Sequence, residues 1–158
     1  MKFKALMLTL VLLLPGCLDS EGEEIRFNGR NLEGSDVYMF TLEDSKGPLW
    51  NLTEQEGKVV VLAFIFTRCD NTCPVTSQNL KVVYESLTED ELTKVSFVSV
   101  TVDWRHDSPS ELNNWSDRMG YDWPHLTGAK QALDPVYENY GVFPVEQGDD
   151  SDEGYTVA

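Results

Sequence analysis

Two cysteines, Cys69 and Cys73, stand four positions apart in the stretch "FIFTRCDNTCP". The pair follows an apolar run at 59–66 and precedes a segment whose apolar residues recur at helical spacing. At the start of a helix, positions i and i+4 share one face, so both sulfurs can approach one ion or each other. The unpaired amides and positive dipole end of a helix N-terminus also stabilise a thiolate.

Three uses of this pair remain open from the residues alone. Thiolates are soft donors that favour Cu(I) or zinc, and a metal held by two of them needs at least one more ligand. Thiol–disulfide redox chemistry is the second use, although the spacing is not the C-x-x-C of ordinary disulfide oxidoreductases. A structural disulfide is the least favoured, because closing so short a loop adds little stability.

The surrounding pattern predicts alternating strands and helices. A hairpin is expected from "VYMFTL" (37–42) and "LWNL", and "VVVLAFIF" (59–66) predicts a central strand buried on both faces. A helix is expected from Pro74, followed by a second buried strand at 95–103.

The second half of the chain continues this alternation. Ser108, Pro109 and Glu111 predict a capping box at a helix start, with Leu112, Trp115 and Met119 on the inward face. "PHLTG" is interpreted as a link, and "ALDPVYENYGV" as a short helix ended by a glycine. "YTVA" at 155–158 resembles the start of a strand, expected beside the strand that presents the cysteines. The pattern predicts one α/β domain with a thioredoxin-like fold, a central mixed sheet flanked by helices, C-terminally incomplete.

The N-terminus has the pattern of an export signal. Lys2 and Lys4 precede an apolar run at 5–14, and "LLPGC" ends at Cys17. This ending resembles the lipobox of prokaryotic lipoproteins, in which the cysteine becomes the lipidated N-terminus. We therefore interpret residues 1–16 as a signal peptide, 17–35 as a lipid anchor and tether, and 36–158 as the domain.

The amino-acid composition restricts the kinds of partner that the protein is expected to bind. Acidic residues number 27 against 12 basic ones, a formal net charge of −15. Such a surface repels nucleic acid and anionic lipid head groups, so no nucleic-acid partner is expected. An exported chain also keeps its cysteines where disulfides persist.

Taken together, these motifs resemble those of the Sco/SenC family of copper-binding proteins. "GKVVVLAFIFTRCDNTCP" is similar to the family's strand and C-x-x-x-C-P motif, and "VSVTVDWRHDSPSEL" to a segment with an aspartate and a D-S/T-P helix start. "FTLEDSKGPLWNL", "WPHLTG" and "YGV" match further markers. The sequence departs from the family at Asp70 and Trp104, where proline is usual.

The resemblance implies a thioredoxin-like protein that binds copper through Cys69, Cys73 and a later histidine. In the family that histidine typically follows a "YTV" stretch, so it is expected beyond Ala158. Family members are implicated in loading the binuclear copper centre of cytochrome c oxidase, and some reduce thiols of that target.

Three further residues are considered as possible parts of the site beside the cysteine pair. Asp103, at the end of the second buried strand, is expected to support the site from its margin or to cap a turn. His106 and His125 are both placed in loops, where a histidine is more often solvated than bound to metal.

The expected protein is therefore anchored by lipid to the outer face of the cytoplasmic membrane. It delivers copper to, or maintains the thiols of, the oxidase subunit that carries the binuclear copper centre. The alternatives are a metal-free extracytoplasmic thiol–disulfide oxidoreductase and a binding module without chemistry. A metallochaperone is favoured over an enzyme.

Overall fold

A computed structural model describes residues 36–69, 72–145 and 156–157, with side chains for 36–69 and 75–144. The chain divides after Asp36 into two units, and the elements below belong to the second. The expected signal peptide, the tether, Cys17 and Asp70 lie outside the described residues. Among the described residues, no helix combines the length and the apolar content needed to cross a bilayer.

Strands and helices alternate along the described chain. The strands are β1 (Thr41–Asp44), β2 (Leu49–Asn51), β3 (Val59–Ile65), β4 (Val95–Thr101), β5 (His125–Thr127), β6 (Pro144–Val145) and β7 (Thr156–Val157). The helices are α1 (Thr72–Ser86), α2 (Glu89–Leu92), α3 (Pro109–Met119) and α4 (Lys130–Tyr140), and a 3₁₀ turn covers Leu52–Gln55. The first strand begins four residues later than "VYMFTL" predicts.

Five strands form one mixed sheet in the order β2-β1-β5-β4-β3. The predicted hairpin is confirmed, because β1 pairs antiparallel with β2. β3, β4 and β5 run parallel, and β1 joins them by antiparallel pairing with β5. The interpretation of "PHLTG" as a link is wrong: its residues 125–127 form β5, which lies between β1 and β4.

The position predicted for 59–66 is wrong in one respect. β3 pairs only with β4 among the described strands and is the edge of the sheet, not its centre. Its apolar residues do contact the core on both faces, since Val60 and Leu62 pack on one cluster and Val61 and Ala63 on the other. The uniformly apolar sequence of β3 therefore indicates that both faces of the strand are covered. It does not indicate that both edges of the strand are paired.

The strand predicted at "YTV" is found, but its expected neighbour is not. β7 pairs antiparallel with β6 in a separate two-stranded sheet. In the described residues it does not lie beside β3.

Helices cover both faces of the five-stranded sheet. On one face α4 supplies Leu133, Val136 and Tyr137 to a cluster built on alternate residues of β4. On the other face α3 supplies Leu112 and Trp115 to a second cluster, against which Leu80 and Tyr84 of α1 pack. The α/β layering predicted from the sequence is confirmed.

The ends of α3 differ in detail from the prediction. Ser108 caps α3 by accepting from the Glu111 amide at 3.3 Å, but its own amide donates to His106 O, so only half of the capping box forms. Gly120 ends the helix in the left-handed conformation. Met119, predicted to face inward, is exposed and is the last residue of the helix.

His125 is fully buried in β5 rather than in a loop. Its ring lies among Trp115, Tyr121 and Trp123, with centroids 5.4 to 6.3 Å away. Nδ1 lies 2.7 Å from Trp123 O, and Nε2 has no hydrogen-bond partner among the described residues. Burial in this aromatic cluster lowers the pKa of His125 to about 4.

This burial predicts acid sensitivity of the core. The lowered pKa makes the unfolded chain bind a proton more readily than the folded one, so stability falls as pH drops from about 6.5 towards 4. At pH 5 the loss relative to pH 7 is about 2 kcal/mol from this group. In urea unfolding, His125→Phe should reduce the difference in stability between pH 7 and pH 5 by that amount. An unchanged difference would show that His125 does not carry the effect.

Candidate metal centre

The two cysteines flank the passage from β3 into α1. Cys69 lies in the turn after β3, where its amide donates to Phe66 O at 3.4 Å, and its side chain is half-buried against the core. Cys73 is the second residue of α1, and its side chain lies outside the described residues. The predicted location of the pair, at a strand exit and a helix start, is confirmed for the backbone.

The start of α1 is electrostatically suited to thiolates. The helix has 15 residues, and neither its first turn contains an acidic residue nor its last turn a basic one. Its first amides have no partner within the helix, and the dipole places partial positive charge there. A sulfur at this end is therefore stabilised in the anionic form that soft metals bind.

Asp103 is fully buried two residues beyond β4 and reaches the segment that carries Cys69. Its Oδ2 accepts from Arg68 Nη2 at 3.0 Å and from Nε at 3.3 Å. Because Arg68 directly precedes Cys69, this ion pair ties the end of β4 to the cysteine turn. The expected position of Asp103 beside the site is supported by this contact, and its role at a metal stays a prediction.

His106 completes a small cluster around the same carboxylate. Its Nδ1 lies 2.8 Å from Asp103 Oδ1 and 2.8 Å from Arg68 Nη2. One tautomer donates Nδ1–H to the carboxylate, and the other accepts from the guanidinium. The side chain is 49% exposed, in agreement with the loop position predicted for it.

A second buried carboxylate, Asp107, holds the residue before Arg68. It accepts from the amide and hydroxyl of Thr67 and from the hydroxyl of Thr101. Burial raises the pKa of Asp107, the hydrogen bonds from Thr101 and Thr67 act against the rise, and the charge of Asp103 adds to it. The carboxylate therefore fixes the β3 exit by hydrogen bonds rather than by an ion pair.

Thr101 joins the two carboxylates. Its hydroxyl oxygen accepts from the Asp103 amide at 2.9 Å, and its O–H donates a hydrogen bond to Asp107 Oδ2. Its carbonyl accepts from the Tyr137 hydroxyl at 2.6 Å, which connects the site to α4. The cysteine turn is thus supported by the turn after β4, by Thr101 of β4 and, through Thr101, by α4.

The described side chains do not by themselves complete a metal site. In the part of the chain with described side chains, no three His, Cys, Asp or Glu groups converge at metal-binding distance. Cys69 is among those side chains and Cys73 is not, so this statement concerns only one cysteine of the pair. His125 is excluded as a candidate ligand because its side chain is buried in the aromatic cluster around β5. The donor chemistry present, thiolate at a helix start, fits a soft metal.

Sequence reasoning missed Arg68, Thr67 and Thr101 as supports of the site, and saw Asp107 only as part of a motif. A usable signal existed. Asp103 and Asp107 follow a buried strand, and a polar Thr-Arg pair follows the parallel strand beside it. Carboxyl ends of adjacent parallel strands lie at one edge, so these groups were placed to meet.

Fold and site together define a thioredoxin-like α/β protein with a cysteine pair at the first helix. The SCO1/SenC family model matches residues 31–158, and the chain belongs to this family.

Solved structures share the fold. The chain is similar to apo Sco1 of Thermus thermophilus, with a TM-score of 0.71 and 30% identity, covering 87% of this chain and 79% of that one. It is also similar to ScoI of Bradyrhizobium japonicum with copper bound, with a TM-score of 0.69 and 22% identity, covering 78% of each chain.

A sequence relative is the SCO2-like protein of Rickettsia felis, 28% identical over 119 residues, which are 75% of this chain. The chain covers 58% of the length of that relative.

The Arg68–Asp103 pair predicts a stability effect at the site. Arg68→Met leaves the buried Asp103 charge without its cation, which should cost about 3 kcal/mol of unfolding free energy. The matched control is Lys94→Met, which breaks the exposed Lys94–Asp90 pair and should cost less than about 0.5 kcal/mol. Urea denaturation of both variants measures the difference, and equal losses would contradict a structural role for the buried pair.

Proposed function

We propose that this chain binds copper through Cys69 and Cys73 and acts at the copper centre of cytochrome c oxidase. It delivers copper to the subunit that carries the binuclear centre, or keeps the thiols of that subunit reduced. The observation that carries the proposal is the cysteine pair at the β3–α1 junction of a SCO1/SenC chain. A solved relative described with copper bound supports the choice of metal.

The surroundings of Cys69 favour a bound cation over an inert thiol pair. The turn that holds Cys69 is fixed by buried carboxylates through Thr67 and Arg68. Such support limits movement of the sulfur, and outer partners of this kind orient metal ligands. A third ligand, the histidine implied by the family resemblance, belongs to the proposal.

The second candidate, thiol–disulfide exchange without metal, is favoured by one observation. Cys73 is the second residue of a 15-residue helix, and thiolate is stabilised and reactive at a helix N-terminus. The two functions use the same sulfurs, so formation of the disulfide competes with metal.

The central test is copper binding by cysteine variants. The reduced chain should hold one Cu(I), measured by elemental analysis and by competition with a Cu(I) chelator. Cys69→Ser or Cys73→Ser should each weaken binding by more than about 100-fold, beyond the effect typical of losing an outer partner. Cys17→Ser is the matched control and should bind as the parent does.

Equal copper in the double variant Cys69→Ser/Cys73→Ser would contradict the proposal. A parent chain that holds no copper but reduces a disulfide of the oxidase subunit would support the second candidate instead.

We further propose that Cys17 carries lipid and anchors the chain to the outer face of the cytoplasmic membrane. The support is the "LLPGC" ending after a basic and apolar start. Cys17→Ser should move the protein from the membrane fraction of a bacterial host and remove the mass of the lipid. Cys73→Ser is the control that should leave both unchanged. Membrane association and mass unaffected by Cys17→Ser would contradict the anchor.

A further inference from the structure

His106 has one ring nitrogen inside the cluster around Asp103 and one outside it. Nδ1 lies 2.8 Å from Asp103 Oδ1 and 2.8 Å from Arg68 Nη2. Nε2 makes no hydrogen bond among the described residues, and the side chain is 49% exposed. The imidazole is therefore fixed through one nitrogen, and the other is left to act towards solvent.

The surroundings of Nδ1 decide which nitrogen carries the proton. An unprotonated Nδ1 would set its lone pair against Asp103 Oδ1, and that carboxylate is fully buried. A protonated Nδ1 instead faces Nη2 of Arg68, whose side chain is 31% exposed and already donates to Asp103 Oδ2 at 3.0 Å. The arginine can turn its remaining hydrogens to solvent, whereas a buried carboxylate oxygen needs a donor. The proton therefore belongs on Nδ1, and Nε2 keeps its lone pair.

A histidine held in this way has the arrangement of a metal ligand. Ligating histidines commonly donate one ring N–H to a carboxylate, which fixes the ring and makes the other nitrogen a better donor. Imidazole suits Cu(II), and this ion binds nitrogen donors more tightly than the other common divalent metals do. The formal net charge of −15 also raises the concentration of cations near the surface.

The imidazole lies at the end of the sheet that carries the cysteine turn. His106 belongs to the turn after β4, and β3 and β4 are parallel, so the turns that follow them share one edge. Arg68, which contacts Nδ1, directly precedes Cys69 in the chain. An ion bound by Nε2 is therefore held beside the segment that presents Cys69.

We propose that His106, oriented by Asp103, is the entry ligand for Cu(II), and that its Nε2 binds the ion before the cysteine pair does. Transfer is a ligand exchange: the copper–nitrogen bond breaks as copper–sulfur bonds form, the ion stays Cu(II), and the thiol protons pass to water. This transfer rests on the copper function proposed above. An imidazole whose ion is otherwise bound by water releases it readily, which suits entry rather than storage.

The competing role of His106 is structural. A purely structural ring would only hold the turn after β4 by donating to Asp103. That role predicts a loss of stability when the ring is removed and no change in the binding of copper. The two roles therefore differ in what His106→Gln does to Cu(II).

The first test uses Cys69→Ser/Cys73→Ser, which lacks the sulfurs of the pair. With the first equivalent of Cu(II), its electron paramagnetic resonance spectrum should show a nitrogen ligand, and His106→Gln in the same background should remove it. Arg105→Lys is the matched control, because it keeps the charge of an exposed neighbour in the same turn and should leave the spectrum unchanged. A spectrum without nitrogen, or a nitrogen signal that survives His106→Gln, would overturn the inference.

Ring-nitrogen NMR tests the orientation of His106 in the parent chain without metal. The chain has two histidines, so the signals of both rings can be assigned with His106→Gln. In its neutral form, His106 should carry the proton on Nδ1. A proton on Nε2 would show that the lone pair needed for copper is turned to Arg68, and would overturn the inference.

The second test measures entry with the cysteines intact. His106→Gln should slow Cu(II) loading about tenfold in stopped-flow absorbance, the scale on which a residue around a metal site affects it, and leave the Cu(I) affinity unchanged. Arg105→Lys should load as the parent does. A loss of stability in urea with an unchanged loading rate would overturn the inference in favour of the structural role.

The outcomes separate this inference from the copper function of the cysteines. A parent that holds Cu(I) in chelator competition but shows no effect of His106→Gln on Cu(II) would overturn the inference and leave the copper function standing. A nitrogen signal that depends on His106, in a chain whose cysteines hold no copper, would keep His106 as a Cu(II) ligand and overturn the copper function.

Discussion

Two buried carboxylates fix the exit of β3, and the candidate site depends on them. Asp107 holds the Thr67 amide and hydroxyl, and Asp103 holds the Arg68 guanidinium. Both acids come from the turn after β4, so their four-residue spacing sets where the cysteine segment can lie. Burying two acids so close together is costly unless each is satisfied, and the donors of Thr101, Thr67 and Arg68 meet that need. The site is therefore held from the neighbouring strand rather than from its own.

The fold class could be predicted because the signals were long and regular. The apolar runs of β3 and β4 and the cap of α3 are local patterns that tertiary contacts did not override. β5 could not be predicted in this way, since three residues give no period, and its strand state comes from pairing with β1 and β4. The edge position of β3 is likewise a property of pairing, which hydrophobicity does not encode.

The sequence indicates the candidate donors of the site, whereas the residues that support them become visible only in the structure. Cys69, Cys73 and Asp103 follow from residue type and place in the chain. The partnership of Arg68 with Asp103 joins residues 35 positions apart and requires the parallel register of β3 and β4. The prediction for His125 was wrong for the same reason. The sequence places this residue in a loop, but once β5 forms it is enclosed by three aromatic rings and by its pairing with β4.

The three residues of β5 have a kinetic consequence. They are the only described strand contact that joins the N-terminal hairpin to the parallel strands, through the pairs Glu43–Thr127 and Asp44–Leu126. The hairpin therefore pairs with the rest of the sheet only after a segment more than 80 positions later in the chain has formed β5. Closing a loop of that length costs entropy before any contact rewards it, so the step comes late and slowly. During synthesis, residues 37–51 leave the ribosome long before their partner strand exists, and an exposed hairpin of this kind is where association with a chaperone would have the longest opportunity.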